Sequence, residues 1–350
     1  MEAMSPRRST KWAPLKAFSL IAVALGLLAP GIFGAWAQDI RFFRIGTGSI
    51  SGVYFPVGGL ISSAISNPPG SRDCDAGGSC GVPGLIAVAQ ATLGSIANVR
   101  ALGAGKLESA LVQADIAHFA QTGTGDFAGE PPIKDLRAIA SLYPEIVHIV
   151  VRHDSPIKTV GDLAGRRVSL DLAGSGTRAV ALAVLAGYGV DPAGLKQVNS
   201  QVGPAADRIR LRAIDAFFFV GGHPSSALAR LARKTRIRLL SIDGAALERI
   251  RATNSYLAAA QLPADTYRRV GAINSVAVHA LWLVSAKVDD DTVYGLTRAL
   301  WHPSTRRLLD HGVAVARQIK PSRALQGITV PLHAGAERYY LEKKRLNRKP

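Results

Sequence analysis

The chain predicts an α/β fold in two lobes with a ligand cleft between them, and three observations carry that expectation. Short apolar runs alternate with helix-length segments, the pattern of a largely parallel sheet covered by helices. About 310 residues remain once a signal-like N-terminus is set aside, more than one core usually holds, and 48% of the chain is apolar, enough for two cores. Twice, a strand-like run empties into a Gly/Ser/Thr loop that opens a helix, first at Arg44-Ile45-Gly46-Thr47-Gly48-Ser49 and again at Val168-Ser169-Leu170 through Gly174-Ser175-Gly176-Thr177. Glycines let the backbone approach a ligand closely. The first N–H groups of the following helix lack internal partners and carry partial positive charge. Two such loops facing each other describe a cleft for a small carboxylate.

The N-terminus orders Arg7, Arg8, Lys11 and Lys16, then an apolar stretch from Ala17 to Leu28, a Pro30-Gly31 break, and Ala35-Trp36-Ala37. This is the order of a secretory signal with cleavage near Ala37. An uncleaved anchor is the rival, although Pro30, Gly31 and Gly34 interrupt the apolar run and leave it short for a membrane span. Removing residues 1–37 takes away four basic residues and one acidic residue, which lowers the formal charge from +17 to +14. Aromatic residues are only 6% of the chain and interleave with no basic run. A solvated basic face that steers anions is therefore expected, and not a nucleic-acid partner. Cys74 and Cys80 close a Gly-rich loop and, after export, read as a disulfide. No histidine lies near them in sequence, and two thiolates alone make an incomplete metal site.

The elements follow in order. Residues 40–45 form an apolar first strand, 57–66 a helix, and 85–91 a strand after the cysteine loop. Residues 95–102 read as a helix with Ser95 at its N-cap and Gly103 and Gly105 past its end. Residues 110–115 are a buried strand that delivers polar side chains at its end, and a helix begins over 118–121. Strands at 137–142 and 145–151 lead to His153-Asp154-Ser155-Pro156, where the chain crosses between lobes. Beyond it come a short helix at 159–164, a strand at 167–172, helices at 177–187 and 207–213, a strand at 216–220, a helix at 223–234 and a strand at 236–242. A long apolar strand at 273–284, before a helix at 290–301, makes the second crossing and so a hinge. The domain boundaries expected are a signal at 1–37, the first lobe at 38–154, the second at 155–272, and a return with C-terminal helix and tail at 273–350.

Eight stretches carry a resemblance. They are Ile45-Gly46-Thr47-Gly48-Ser49 with Gly52-Val53-Tyr54-Phe55-Pro56, then Gly94 to Val99, Ala110 to Asp115, and Ala138 to Glu145. They continue with Asp154 to Lys158, Gly174-Ser175-Gly176-Thr177, Ala216 to Gly222, and Pro331 to Tyr340. In this order, across nearly the whole mature chain, they resemble the TAXI group of solute receptors that serve tripartite TRAP transporters. The resemblance implies a type II periplasmic binding protein that closes on glutamate, glutamine or a related carboxylate and hands it to a membrane permease. A periplasmic location, a monomeric receptor, no cofactor, no metal and no enzymatic activity go with it. Ligands of open α/β sheets sit beyond the carboxyl ends of the strands, where both glycine loops fall.

Position by position, the resemblance assigns Gly48, Ser49 and Tyr54 to the first binding loop, Ser95 and Asn98 to the second, and Gln113 and Asp115 to a strand end. Ser175, Gly176 and Thr177 match the loop of the second lobe. Hydroxyls and N–H groups of Ser49, Ser175 and Thr177 suit a carboxylate, Asn98 and Gln113 a polar tail, and Tyr54 a wall. Ser95 is equally an N-cap, and for Asp115 a purely structural helix-capping role is the favoured alternative. Phe217, Phe218 and Phe219 alternate between two core faces, with Phe219 reaching toward the ligand. Glu145 reads as a hinge residue facing solvent, with a seat for the α-ammonium group of an amino-acid ligand as the alternative. The chain departs from the family pattern at Ile96-Ala97-Asn98, where the middle residue is often acidic, and in the insertion from Cys74 to Cys80.

Other readings compete. A periplasmic sensor subunit for a membrane kinase would use the same lobe closure as its readout. Gly77-Gly78-Ser79-Cys80-Gly81 fits the G-x-S-x-G spacing of a secreted serine hydrolase, but an elbow needs a strand before it and a helix after it, and Pro68, Pro69 and Pro83 surround this one. Gly46-Thr47-Gly48 lacks the third glycine of a dinucleotide loop at the required place. His118 and His148 read as structural residues.

Overall fold

The computed structural model describes residues 40–346; the signal-like segment lies outside them. No helix among the described residues is long and apolar enough to cross a membrane. The first half opens with β1 (Arg41–Gly46), whose buried Phe43 and Ile45 alternate with outward-facing residues. It runs into α1 (Tyr54–Ile65), a pair of short strands, β2 (Ser66–Asn67) and β3 (Val82–Pro83), and then β4 (Leu85–Gln90). α2 (Ser95–Gly103), β5 (Ser109–Gln113) and α3 (Ala114–Thr122) complete this half. β5 is buried at every position, as a strand covered on both faces must be.

The crossing strand β6 (Leu136–Arg152) is continuous where the sequence read two strands. Pro144 sits opposite His279, close to a register irregularity at Ala280/Leu281, the kind of place where a sheet tolerates proline. The second half holds β7 (Arg167–Ser169), α4 (Gly176–Gly187), β8 (Lys196–Val198), α5 (Val202–Arg210) and β9 (Ala216–Gly221). α6 (Ser226–Lys234), β10 (Ile237–Leu239), α7 (Gly244–Thr253) and β11 (Ala258–Leu262) follow. The chain returns through β12 (Ile273–Ser285) to α8 (Asp290–Leu300), α9 (Pro303–His311) and α10 (Ala334–Leu346). The helix expected at 159–164 is only a 3₁₀ turn at Gly161–Leu163.

The main sheet runs β4-β1-β5-β12-β6-β9-β7-β8, with β10 on β6 and β11 on β12. It is mixed and not largely parallel. β1 pairs in parallel with β4 and β5, and β7 with β8 and β9, whereas both crossing strands run antiparallel to their neighbours. β6 gives residues 136–146 to β12 and residues 146–151 to β9. β12 likewise pairs with β5 near its end and with β11 near its start. The two lobes therefore share two strands, a hinge of covalent chain and not of packed surfaces. Apolar side chains fill both faces of the sheet: Phe217 and Phe219 join the core that holds Trp282, and Phe218 joins the one that holds Val147 and Leu283.

Candidate functional site

A cleft opens where the carboxyl ends of β1, β4, β5, β7, β8 and β9 converge. The first lobe contributes Gly48, Ser49, Gly52 and Tyr54 from the loop after β1 and the start of α1, Leu93 and Gly94 before α2 with Ser95 at its start, and Gln113 from the end of β5. The second contributes Asp171, Ser175, Gly176 and Thr177 before α4, Gln201 and Val202 at α5, and Phe219 to Gly221 from β9. Glu145 lines the cleft from β6. Its volume is about 60 Å³, enough to hold water and to admit a small solute.

The second-lobe loop presents the open N–H groups of a helix start to the cleft. Ser175 is the N-cap of α4, and its Oγ accepts the Arg178 N–H at 3.2 Å. This leaves the N–H groups of Gly176 and Thr177, which have no partner within the helix, at the wall of the cleft. Thr177 Oγ1 accepts the Val220 N–H at 3.2 Å, tying the helix start to β9. Asp171 turns the chain out of β7 in the left-handed region, φ 76°, which aspartate tolerates by bonding locally; its Oδ1 accepts the Leu172 N–H at 2.7 Å. The lobes touch here. The Ala97 N–H donates to Gly174 O at 3.1 Å, and a Cβ placed on Gly94, at φ +115°, would stand 3.4 Å from Ser175 Cα.

Of the residues named from sequence, Gly48, Ser49, Tyr54, Ser95, Gln113, Ser175, Gly176, Thr177 and Phe219 come together at the cleft. Asn98 does not line it. Fully buried, it spends its amide on Thr47 O at 2.7 Å and Leu111 O at 2.8 Å, and its Oδ1 accepts from Thr92 at 2.7 Å, so it fastens two loops from behind. Asp115 also stands apart, beside Phe119 and Asp126 around a separate hollow, with Oδ1 accepting the Ile116 N–H at 2.8 Å. Ser95 is the first residue of α2 and not its cap, a place Gly94 takes, and its Oγ accepts the Gln113 N–H at 3.1 Å.

Glu145 needs the larger correction. It faces no solvent: the side chain is 2% exposed, and the Tyr54 hydroxyl donates to Oε2 at 2.7 Å. Burial raises its pKa to about 8, against the pull of Tyr54 and the Gln113 amide. Asp171, which sequence reasoning left unassigned inside a loop it had singled out, is raised to about 6 by the same cause. No lysine or arginine among the described residues lines this cleft. Arg210, Arg230 and Lys234 instead border a larger hollow of about 540 Å³ that meets the cleft at Ser49 and Gln201.

Cys74 and Cys80 are joined in a disulfide, and folding brings His302, absent from their sequence neighbourhood, to 3.8 Å from Cys74 Sγ through Nε2. Ser79 donates to Ser66 O from inside that loop, with a 3₁₀ turn before it and the two-residue β3 after it, so no nucleophile elbow forms. His148 is structural: Nδ1 donates to Ile146 O at 2.8 Å and Nε2 accepts from Tyr267 at 3.1 Å.

Two lobes sharing crossing strands, with a small polar cleft at the strand ends, have the fold of the type II periplasmic binding proteins. The chain belongs to the NMT1-like family, whose pattern matches residues 45–343. Among solved structures, PhnD1 from Prochlorococcus marinus in complex with methylphosphonate aligns over 88% of this chain and 99% of its own, with TM-score 0.51 and 11% identity. The periplasmic aliphatic sulphonate binding protein SsuA from Escherichia coli covers 87% of this chain and 84% of its own, at 15% identity and TM-score 0.43. The substrate-binding protein of an amino acid ABC transporter covers 77% and 98%, at 15% identity and TM-score 0.43. At 11% identity and TM-score 0.51, the likeness to PhnD1 is one of fold.

Proposed function

We propose that this chain is an extracytoplasmic solute receptor that closes its lobes on a small carboxylate or amino acid and delivers it to the membrane subunits of a tripartite TRAP transporter. The observation that carries this reading is the start of α4. Its Ser175 cap and the N–H groups of Gly176 and Thr177 meet the start of α2 and the side chain of Gln113 across a space of about 60 Å³. A carboxylate placed there completes hydrogen bonds that the helix geometry leaves open, and it sits at the positive end of two helix dipoles. The eight family-like stretches support the TRAP assignment, and the signal-like segment supports export with cleavage near Ala37 and work in the periplasm. Closure is a rotation about β6 and β12, with the first lobe at 38–154, the second at 155–272 and the return at 273–350.

The test is equilibrium dialysis of the mature protein, first freed of co-purified solute, against labelled amino acids and small carboxylates. The double variant Ser175→Ala, Thr177→Ala removes two hydroxyls and a cap. It is expected to weaken binding roughly tenfold or more, at about 0.5–1.5 kcal/mol for each hydrogen bond lost. Unchanged affinity would strip the loop of this role.

A further inference from the structure

The cleft is lined by two carboxyl groups, Glu145 and Asp171, where a receptor for anions alone would hold positive charge. Glu145 is surrounded by Tyr54 from α1, Gln113 from β5, Tyr143 beside it on β6, Val278 opposite it on β12, Asp115 from α3 and, across the cleft, Asp171 from the loop after β7. None of these is a cation. Gln113 is 3% exposed, and its Oε1 has no hydrogen-bond partner, so the cleft contains an acceptor that asks for a donor. A dicarboxylate would place a second anion among acceptors. A solute with one carboxylate and one ammonium satisfies both ends.

We propose that the cleft takes a solute carrying an ammonium group, which sits on Glu145 beside Gln113, and that Glu145 releases a proton to solvent as the solute binds. This rests on the receptor reading above. In the empty cleft Glu145 is a neutral acid; the incoming ammonium stabilises its carboxylate, the O–H bond breaks, and one proton leaves. The single carboxylate of the solute goes to the start of α4. Burial keeps Glu145 protonated up to about 8, whereas Asp171, raised only to about 6, is ionised through the neutral range. Asp115, raised to about 7, lies outside the cleft but acts on Glu145 through its charge, and it titrates in wild type and variant alike.

The experiment is isothermal titration of the stripped mature protein with the twenty standard amino acids, with the 2-hydroxy acid matching each hit, and with succinate. Each is measured in buffers of different ionisation enthalpy between about pH 6.5 and 8. A binding amino acid is expected to release close to one proton near pH 6.5 and about half a proton near pH 8, and its affinity to rise by up to about tenfold per pH unit at the lower end of that range. The hydroxy acid and succinate should bind at least roughly tenfold more weakly. Glu145→Gln keeps the shape of the neutral acid and should abolish both the proton release and the excess pH dependence. Amino-acid binding without proton release, release that survives in the variant, or equal binding of succinate overturns the inference. Binding of carboxylates alone overturns it and leaves the receptor reading standing, whereas no binding of any solute overturns both.

Discussion

At Glu145 the folded protein holds a proton that the unfolded chain gives up. Between its ordinary value of 4.5 and about 8 only the native state binds it, so stability falls as pH rises through that window. Asp115 and Asp171 act in the same direction, up to about 7 and about 6. His148 works oppositely: burial lowers it to about 4, so its contribution is complete above its ordinary 6.5 and is lost as pH falls from there. Above about pH 6.5 the carboxyls remain. The thermal midpoint of the ligand-free protein should therefore fall relative to that of Glu145→Gln as pH is raised to about 8, and parallel curves would contradict the assignment. None of this was legible locally. Sequence showed Asn98 and Glu145 as polar residues in family-like stretches; only the return of β12 and the closeness of α1 decide that one is structural and the other lines the cleft.

The elements that build the cleft are the starts of α2 and α4, and glycine sets how closely they approach. A Cβ on Gly176 would come 1.9 Å from Gln113 Oε1 and 3.1 Å from Ser95 Oγ, so the Gln113 amide must swing out of its place in the cleft. Gly176→Ala should thus destabilise the closed form by about 1–3 kcal/mol, the usual cost of overpacking, although alanine is the better helix former. Urea unfolding with and without solute checks this: the variant should lose most of the solute-induced stabilisation. Where loop chemistry and apolar periodicity coincide, elements were readable, as at α4, α8 and β12. α5 began earlier than expected because Gly203 and Pro204 disguise its first turn, and Arg212 in the left-handed region ends it. α7 buries only Ala246 and Ile250, and β11 is an alanine-rich strand exposed along most of its length, so neither showed a clear period.

For the whole molecule, the chemistry depends on two strands serving both lobes. β6 carries Glu145 at the point where its pairing passes from β12 to β9, so lobe closure and the surroundings of that carboxyl are set by the same hinge. The two-lobed plan was legible from chain length and the alternation of elements, and the cleft from its two glycine loops. The charge inside it was not, because Tyr54, Gln113, Glu145 and Asp171 lie far apart in sequence and meet only through sheet order.

The measurement that bears most directly on this account is thermal unfolding of the mature protein, stripped of co-purified solute by unfolding and refolding, against amino acids and small mono- and dicarboxylates. A solute at about a hundred times its dissociation constant adds about 2.7 kcal/mol of stability. The account predicts a clear upward shift with one class of ammonium-bearing monocarboxylate and little with dicarboxylates. A folded protein that responds to no solute in the panel would contradict it.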